Sequence, residues 1–267
     1  MGTDKRERQK ANRAARVEAE QTAARRAKRN QTIRSAVIGA LVVVAVLALI
    51  AVLSGCGSDE ESGEDATGDE AEVPCATAPD GVRVIDFDEP PTAEVAPGDE
   101  VTATFETSEG TVVVELDTER TPETADNFAA LAQHCYFDGT DLFRAEADTG
   151  IIQGGSPHTQ DNTDPGPGYR IEDEGVPFTS DDYAPGTIAM ANSGAPNSAS
   201  AQFFFLAGEG GRYLGDETLV GPSAGSYAVF GTVSEGLDVL EAIAALDDGT
   251  RAPSRQVTID RVTIDAA

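Results

Sequence analysis

Between Val101 and Asp117 apolar and polar residues alternate in two runs on either side of Ser108-Glu109-Gly110. Period-two alternation around a glycine-containing turn predicts a β-hairpin. The rhythm then changes. In TPETADNFAALAQHCYF, Phe128, Leu131 and Ala132 recur at helical spacing. Thr121 stands ready as N-cap, Pro122 in the first helical position and Glu123 in the first turn. Four short apolar runs follow: Gly150 to Ile152, Thr187 to Ala191, Gln202 to Leu206 and Tyr227 to Val233. Gly, Pro, Asn and Asp separate them, so they read as strands. SEGLDVLEAIAAL returns to helical spacing, with Leu237, Leu240, Ile243 and Ala244 on one face. Asp247, Asp248 and Gly249 stop it. QVTIDRVTID closes the chain with one strand or two. Many short strands and two short helices predict an all-β fold, a closed antiparallel barrel with helices over its open ends.

The pattern upstream is different in kind. Ser35 to Leu53 is an apolar stretch without a charge and without a polar stripe. As a helix rising about 1.5 Å per residue it reaches roughly across a bilayer's hydrocarbon core, which predicts a transmembrane helix. Charge reinforces this division. Residues 1–34 carry eleven Lys or Arg against four acids; the rest carries eight Arg, no Lys and forty-three acids. The basic side is expected in the cytoplasm and the acidic side outside, at a cell membrane crossed once. The Ala-rich basic tail reads either as a solvated topogenic segment or as a helix lying on anionic lipid. LSGC, ending at Cys56, resembles the lipobox of bacterial lipoproteins. Residues 35–53 are then either an uncleaved anchor, the favoured reading given so long a leader, or a signal h-region cleaved before a lipidated Cys56. Gly57 to Val73 has eight acids and no basic residue, too little apolar surface to fold, and reads as part of a tether over residues 54–98. The folded domain is expected over residues 99–267.

The acidic balance excludes direct nucleic-acid binding, because phosphates would be repelled; adaptation to high salt is one explanation for it. Cys75 and Cys135 form a disulfide in an oxidising compartment or stay as two thiols. His134 and His158 are the only histidines. With no metal-ligand spacing and no EF-hand rhythm, neither a metal nor a cofactor is expected.

AMANSGAPNSASAQFFFLAG, residues 189–208, sets three phenylalanines behind a loop of small residues, with Asn192 and Gln202 bracketing that loop. The order of segments resembles the cyclophilins, the barrel-shaped peptidyl-prolyl cis-trans isomerases. ETSEGTVVVELDTERTPETADNFAALAQHCYFDGT is similar to the family's opening hairpin and helix, and FRAEADTGIIQGGSP to its Arg-through-Gln-Gly-Gly segment. DPGPGYRIEDE is similar to its glycine-rich loop, GTIAMANSGAPNSASAQFFF to its Met-Ala-Asn and Gln-Phe-Phe segment, and YAVFGTVSEGLDVLEAI to its Val-Phe-Gly strand and helix. The resemblance covers Val101 to Ala267. The tail, anchor and tether are similar to those of membrane-attached bacterial relatives.

The resemblance implies a peptide groove. Arg144 and Gln153 take the catalytic positions. Asn192 would bond the substrate backbone, Ala191 would line the groove, Gln202 would face it and Phe204 would meet the proline ring, with Phe203 and Phe205 facing the opposite way. Rotation about an X-Pro bond costs about 18–20 kcal/mol because amide resonance is lost. In the twisted state the prolyl nitrogen's lone pair becomes a better acceptor, and a fixed guanidinium can donate to it. No nucleophile is required. Several positions depart from the family. The Arg144 to Gln153 stretch is one residue longer, and AEADTG lacks the aromatic that floors the proline pocket. Ile151 stands for a Met, with Ile152 as the other candidate. The chain has no Trp; Tyr213 and Leu214 are the nearest replacements, with Leu219 as the alternative. Tyr227 replaces a His. The expected clients are proline-containing unfolded or exported polypeptides, bound by a monomer. The altered pocket keeps a second reading open, a cyclophilin-fold peptide-binding or chaperone module with weak catalysis.

Overall fold

The computed structural model describes residues 83–266. The basic tail, the apolar stretch, Cys56, Cys75 and most of the tether lie outside them. Among the described residues no helix is long and apolar enough to cross a membrane.

The hairpin forms where alternation predicts it, as β1 (Val101–Thr107) and β2 (Gly110–Leu116), paired antiparallel from Thr102↔Glu115 to Thr107↔Gly110. Val101, Ala103, Phe105, Val112, Val114 and Leu116 point inward and are buried. Helix α1 (Pro122–Gln133) follows, with Phe128, Leu131 and Ala132 buried. Its expected cap is different. The Thr121 side chain makes no cap bond. It is fully buried, and its hydroxyl bridges the Asp117 and Val229 carbonyls instead. Glu174 caps the helix from a distant loop: its carboxylate accepts from the Glu123 and Thr124 amides at 3.2 and 2.9 Å.

Two-residue strands β3 (Thr140–Asp141) and β4 (Arg144–Ala145) come next, then β5 (Ile151–Gly154), β6 (Thr187–Met190) and β7 (Phe203–Leu206). A 3₁₀ stretch (Glu209–Gly215) and one turn of helix, α2 (Glu217–Val220), lead to β8 (Val229–Glu235). Helix α3 (Leu237–Ala244) and a single final strand, β9 (Thr258–Ala266), complete the chain. All ladders are antiparallel, in the order β3-β9-β1-β2-β8-β6-β7-β5-β4.

The sheet is a curled half-barrel, and no ladder closes it among the described residues. Its end strands, β3 and β4, are consecutive in the chain and separated only by Leu142 and Phe143. That short link draws the ends together. Two-residue strands leave no length for a ladder between them. The curl encloses an aromatic core of Phe105, Phe128, Phe137, Phe203, Phe205 and Phe230, with Phe128 and Phe137 stacked at 4.9 Å. Helix α1 packs on β8 and β9, and α3 on β2 and β5.

Residues before 99 are also tied to this body by backbone bonds. The Ala93 and Val95 amides both donate to Asp126 Oδ1 of α1, at 3.0 and 2.9 Å, and the Phe87 amide donates to the Pro167 carbonyl at 2.8 Å. These are backbone bonds that side-chain patterning does not signal. Cys135 is disulfide-bonded; the other two cysteines lie outside the described residues, so the expected pairing with Cys75 does too.

Candidate functional site

Strand register builds the site. Arg144 on β4 lies opposite Gln153 on β5, Gln153 opposite Phe204 on β7, and Phe204 opposite Ala189 on β6. Residues directly opposite on antiparallel strands send their side chains to the same face. One row across four strands therefore carries the guanidinium, the amide and the aromatic ring together. Period-two spacing adds Ile151 beside Gln153 and Gln202 beside Phe204. Ile152, the other candidate, pairs with Phe205 and is fully buried on the core side. Phe203 and Phe205 also face the core, their rings 5.5 Å apart and both against Phe105.

This face floors a cavity of about 370 Å³. All ten residues assigned to the site line it: Arg144, Ile151, Gln153, Ala191, Asn192, Gln202, Phe204, Tyr213, Leu214 and Tyr227. Tyr213 and Leu214 reach it from the 3₁₀ stretch, whereas Leu219 is 68% exposed and lies elsewhere. The Phe204 and Tyr227 rings meet edge to face at 5.4 Å. Together with Ile151 and Leu214 they supply an apolar end.

Polar side chains are pinned in series. Arg144 Nη1 donates to Gln153 Oε1 at 2.9 Å, and Gln153 Nε2 donates to Gln202 Oε1 at 2.9 Å. The Gln202 carbonyl in turn accepts from the Ala191 amide. Asn192 Nδ2 donates to the Ser226 carbonyl, and its Oδ1 accepts from the Gly194 amide. The Asn192 side chain is thus engaged in holding its loop against the approach to β8. Burial, and secondarily the nearby Glu146 carboxylate, push the Tyr213 phenol above its ordinary pKa, so it remains a donor well into the alkaline range.

The sequence reading missed two groups of residues. One is Glu146, a buried carboxylate on Arg144. Its signal was available, since period-two spacing carried one residue past β4 puts Glu146 on the Arg144 face. The other is the far wall, where Asn162, Asp164, Arg170, Ser193, Ser198 and Ser200 line the same cavity. Its loops have no periodicity to read. Asp164 organises the first of them, accepting from the His158, Thr159 and Gly166 amides. Arg170 is held by neutral acceptors, the Tyr169 and Pro165 carbonyls and Ser200 Oγ. Buried Asn127 of α1 ties the wall down, donating to the Ser200 carbonyl and accepting from the Tyr169 hydroxyl. Among the described residues no cluster of His, Cys, Asp and Glu is arranged to hold a metal.

A groove with a fixed guanidinium, amide donors and acceptors, and an apolar floor suits an extended peptide carrying a small ring. Comparison with known proteins points the same way. A family profile described as cyclophilin type peptidyl-prolyl cis-trans isomerase/CLD matches residues 102–264. Peptidyl-prolyl cis-trans isomerase cyp18 of Streptomyces antibioticus is 35% identical over 168 residues, 62% of this chain and 96% of its own length. Probable peptidyl-prolyl cis-trans isomerase B of Mycobacterium leprae is 31% identical over 217 residues, 72% of this chain and 67% of its own. Among solved structures, a Cryptosporidium parvum cyclophilin type peptidyl-prolyl cis-trans isomerase, crystallised in the presence of the dipeptide Ala-Pro, superposes with a TM-score of 0.51. It is 25% identical and covers 62% of this chain and 99% of its own.

Proposed function

The chain belongs to the cyclophilin-type peptidyl-prolyl cis-trans isomerase family and is a peptidyl-prolyl cis-trans isomerase; from that premise we propose that Arg144 supplies the transition-state contact and that the clients are exported polypeptides. The observation that carries the first part is the Arg144–Gln153–Phe204 row across β4, β5 and β7 on the floor of one cavity. In this reading the proline ring rests on Phe204, flanked by Ile151, Leu214 and Tyr227. Gln202 and the main chain around Ala191 and Asn192 hold the peptide backbone. The planar imide gives Arg144 a poor acceptor. As the bond twists, conjugation is lost, the nitrogen pyramidalises, and its lone pair accepts from the guanidinium. The contact grows only along the reaction coordinate, so it lowers the barrier rather than tightening the ground state. About 7 kcal/mol of such stabilisation corresponds to roughly a 10⁵-fold acceleration.

Clients outside the cytoplasm are supported by the uncharged stretch from Ser35 to Leu53, preceded by a basic tail and followed by an acidic segment. Attachment to the cell membrane, through that stretch as a helix or through a lipidated Cys56, is part of the same proposal. The experiment is a protease-coupled proline-isomerisation assay on the full-length chain in mild detergent, beside Arg144→Ala. Acceleration should fall at least a hundredfold, the scale of losing one preorganised donor, while the circular-dichroism spectrum of the folded state stays in place; the thermal midpoint drops because buried Glu146 loses its main partner. Full rate in the variant refutes the role of Arg144. Peptide binding without acceleration by the parent chain would favour the binding-module reading instead.

A further inference from the structure

The segment that joins Arg144 to Gln153 returns a buried carboxylate onto Arg144. Glu146 is 7% exposed. Its Oε1 accepts from Arg144 Nε at 2.8 Å and also from Arg144 Nη2. Arg251 Nε stands 3.6 Å from the same oxygen, and Thr149 Oγ1 donates to Oε2 at 2.9 Å. The backbone around the carboxylate is equally fixed. The Glu146 amide donates to the Ile151 carbonyl, and the Gly150 amide donates back to the Glu146 carbonyl. Gly150 has φ +73°, and a Cβ there would lie 2.3 Å from the Gly208 amide nitrogen. The loop is locked against the 3₁₀ approach.

We propose that Glu146 is the positioning residue for Arg144, anchoring one edge of the guanidinium so that its remaining N–H groups stay aimed into the groove. This rests on Arg144 being the catalytic donor. A guanidinium has five N–H donors. One goes to Gln153 and two to Glu146, leaving two for the groove that Arg144 lines. Glu146 and Gln153 hold it from different sides, so rotation about the last side-chain torsions is blocked. The carboxylate also opposes the cation's field. Two features make orientation the larger effect. The acceptor that develops on the prolyl nitrogen is a neutral lone pair, sensitive to donor direction more than to net charge. Arg251 beside the same oxygen also shares the negative charge.

The test uses the full-length chain in detergent with Glu146→Gln, Glu146→Asp and Arg144→Ala. Loosening a positioned catalytic group by about 1 Å costs up to about a hundredfold, so Glu146→Gln should lower kcat roughly ten- to a hundredfold with KM changed less than about twofold. Glu146→Asp, which keeps the charge, should recover part of that loss. Proton exchange at Arg144 Nε–H, identified by NMR as the side-chain signal missing from Arg144→Ala, should speed up in Glu146→Gln. A merely structural role would change the melting temperature without moving that signal. Unchanged or raised kcat in Glu146→Gln overturns the proposal, as does lost kcat with an unaltered Nε–H signal. Should Glu146→Gln fail to fold, Thr149→Ala keeps the carboxylate but frees Oε2; it should lower kcat a few-fold, and unchanged kcat there counts against the proposal. Full rate in Arg144→Ala defeats the underlying reading, whereas an inactive Arg144→Ala beside a fully active Glu146→Gln defeats only the role of Glu146.

Discussion

Adjacent residues can have opposite fates, and Phe203 and Phe204 show why. Both are almost fully buried. Phe203 sits among the Phe105, Phe128, Phe137 and Phe205 rings. Phe204 turns to the other face and meets Tyr227 at the groove floor. Truncating Phe203 leaves a closed void, so Phe203→Ala should cost about 3–5 kcal/mol in urea unfolding. The space left by Phe204→Ala opens into the groove, where water enters and neighbours can shift. That variant should lose less stability but roughly ten- to a hundredfold in kcat/KM, corresponding to about 1–3 kcal/mol of apolar contact with the proline ring. Equal destabilisation by the two, with normal kcat/KM for Phe204→Ala, would show that both rings serve only the core.

Elements here depend on contacts that cross long stretches of chain. Helix α1 takes its cap from Glu174, some fifty residues away. A carboxylate on two free amides at a helix N-terminus also meets the positive end of the dipole. Glu174→Ala should therefore cost about 1 kcal/mol, read from the thermal midpoint, whereas a surface acid such as Glu241→Ala should be near neutral. The β1–β2 turn is fastened in a similar way. Glu109 accepts from Arg255 Nε at 2.9 Å, with a second bond to Nη2, and these bonds hold its carboxyl below the usual Glu range. A carboxyl with a lowered folded-state pKa contributes stability above its unfolded value of about 4.3, and loses it as pH falls through the folded value. Arg255→Gln should remove that slope, so parent and variant melting curves should converge below about pH 4. Divergence that grows toward acid would contradict this.

The same contrast explains what could be read in advance. Hairpin and helices came from periods of two and 3.6, which are local, whereas Arg144, Gln153 and Phe204 were legible only through the resemblance to the cyclophilins; alternation along the strand then put Phe204 on the opposite face from Phe203 and Phe205. The Glu174 cap and the docking of residues 83–98 through Asp126 use partners far apart in sequence. The half-barrel's open ladder depends on strands of two residues, below the length at which alternation means anything. Glu146 was within reach of the pattern, but in a chain with forty-seven acids one more carboxylate carried no signal of its own.

At the scale of the whole molecule, charge is the dominant feature. Residues 83–266 hold eight Arg and thirty-four acids. Ion pairs stabilise part of this: Arg120, Arg144, Arg212, Arg251 and Arg255 each contact a carboxylate. Exposed pairs are worth at most about 1 kcal/mol apiece, and eight Arg cannot neutralise thirty-four acids. Repulsion therefore outweighs attraction over the surface. Salt weakens both, but it must relieve the larger effect more. Raising NaCl from 0.05 to 1 M shortens the screening length to about 3 Å, less than most spacings between exposed acids. The melting temperature should rise by several degrees, since about 1 kcal/mol moves it by roughly 2–4 °C in a domain of this size. Most of the gain should come below about 0.5 M, as screening saturates; surface exclusion by a salt such as sulfate continues to add with concentration. The same field reaches the groove. Cationic proline peptides should associate faster than acidic ones at low salt, and the difference should vanish by about 1 M. A melting temperature that falls with NaCl would mean that the few ion pairs, including the Glu146 cluster, contribute more to the fold than the excess carboxylates take away.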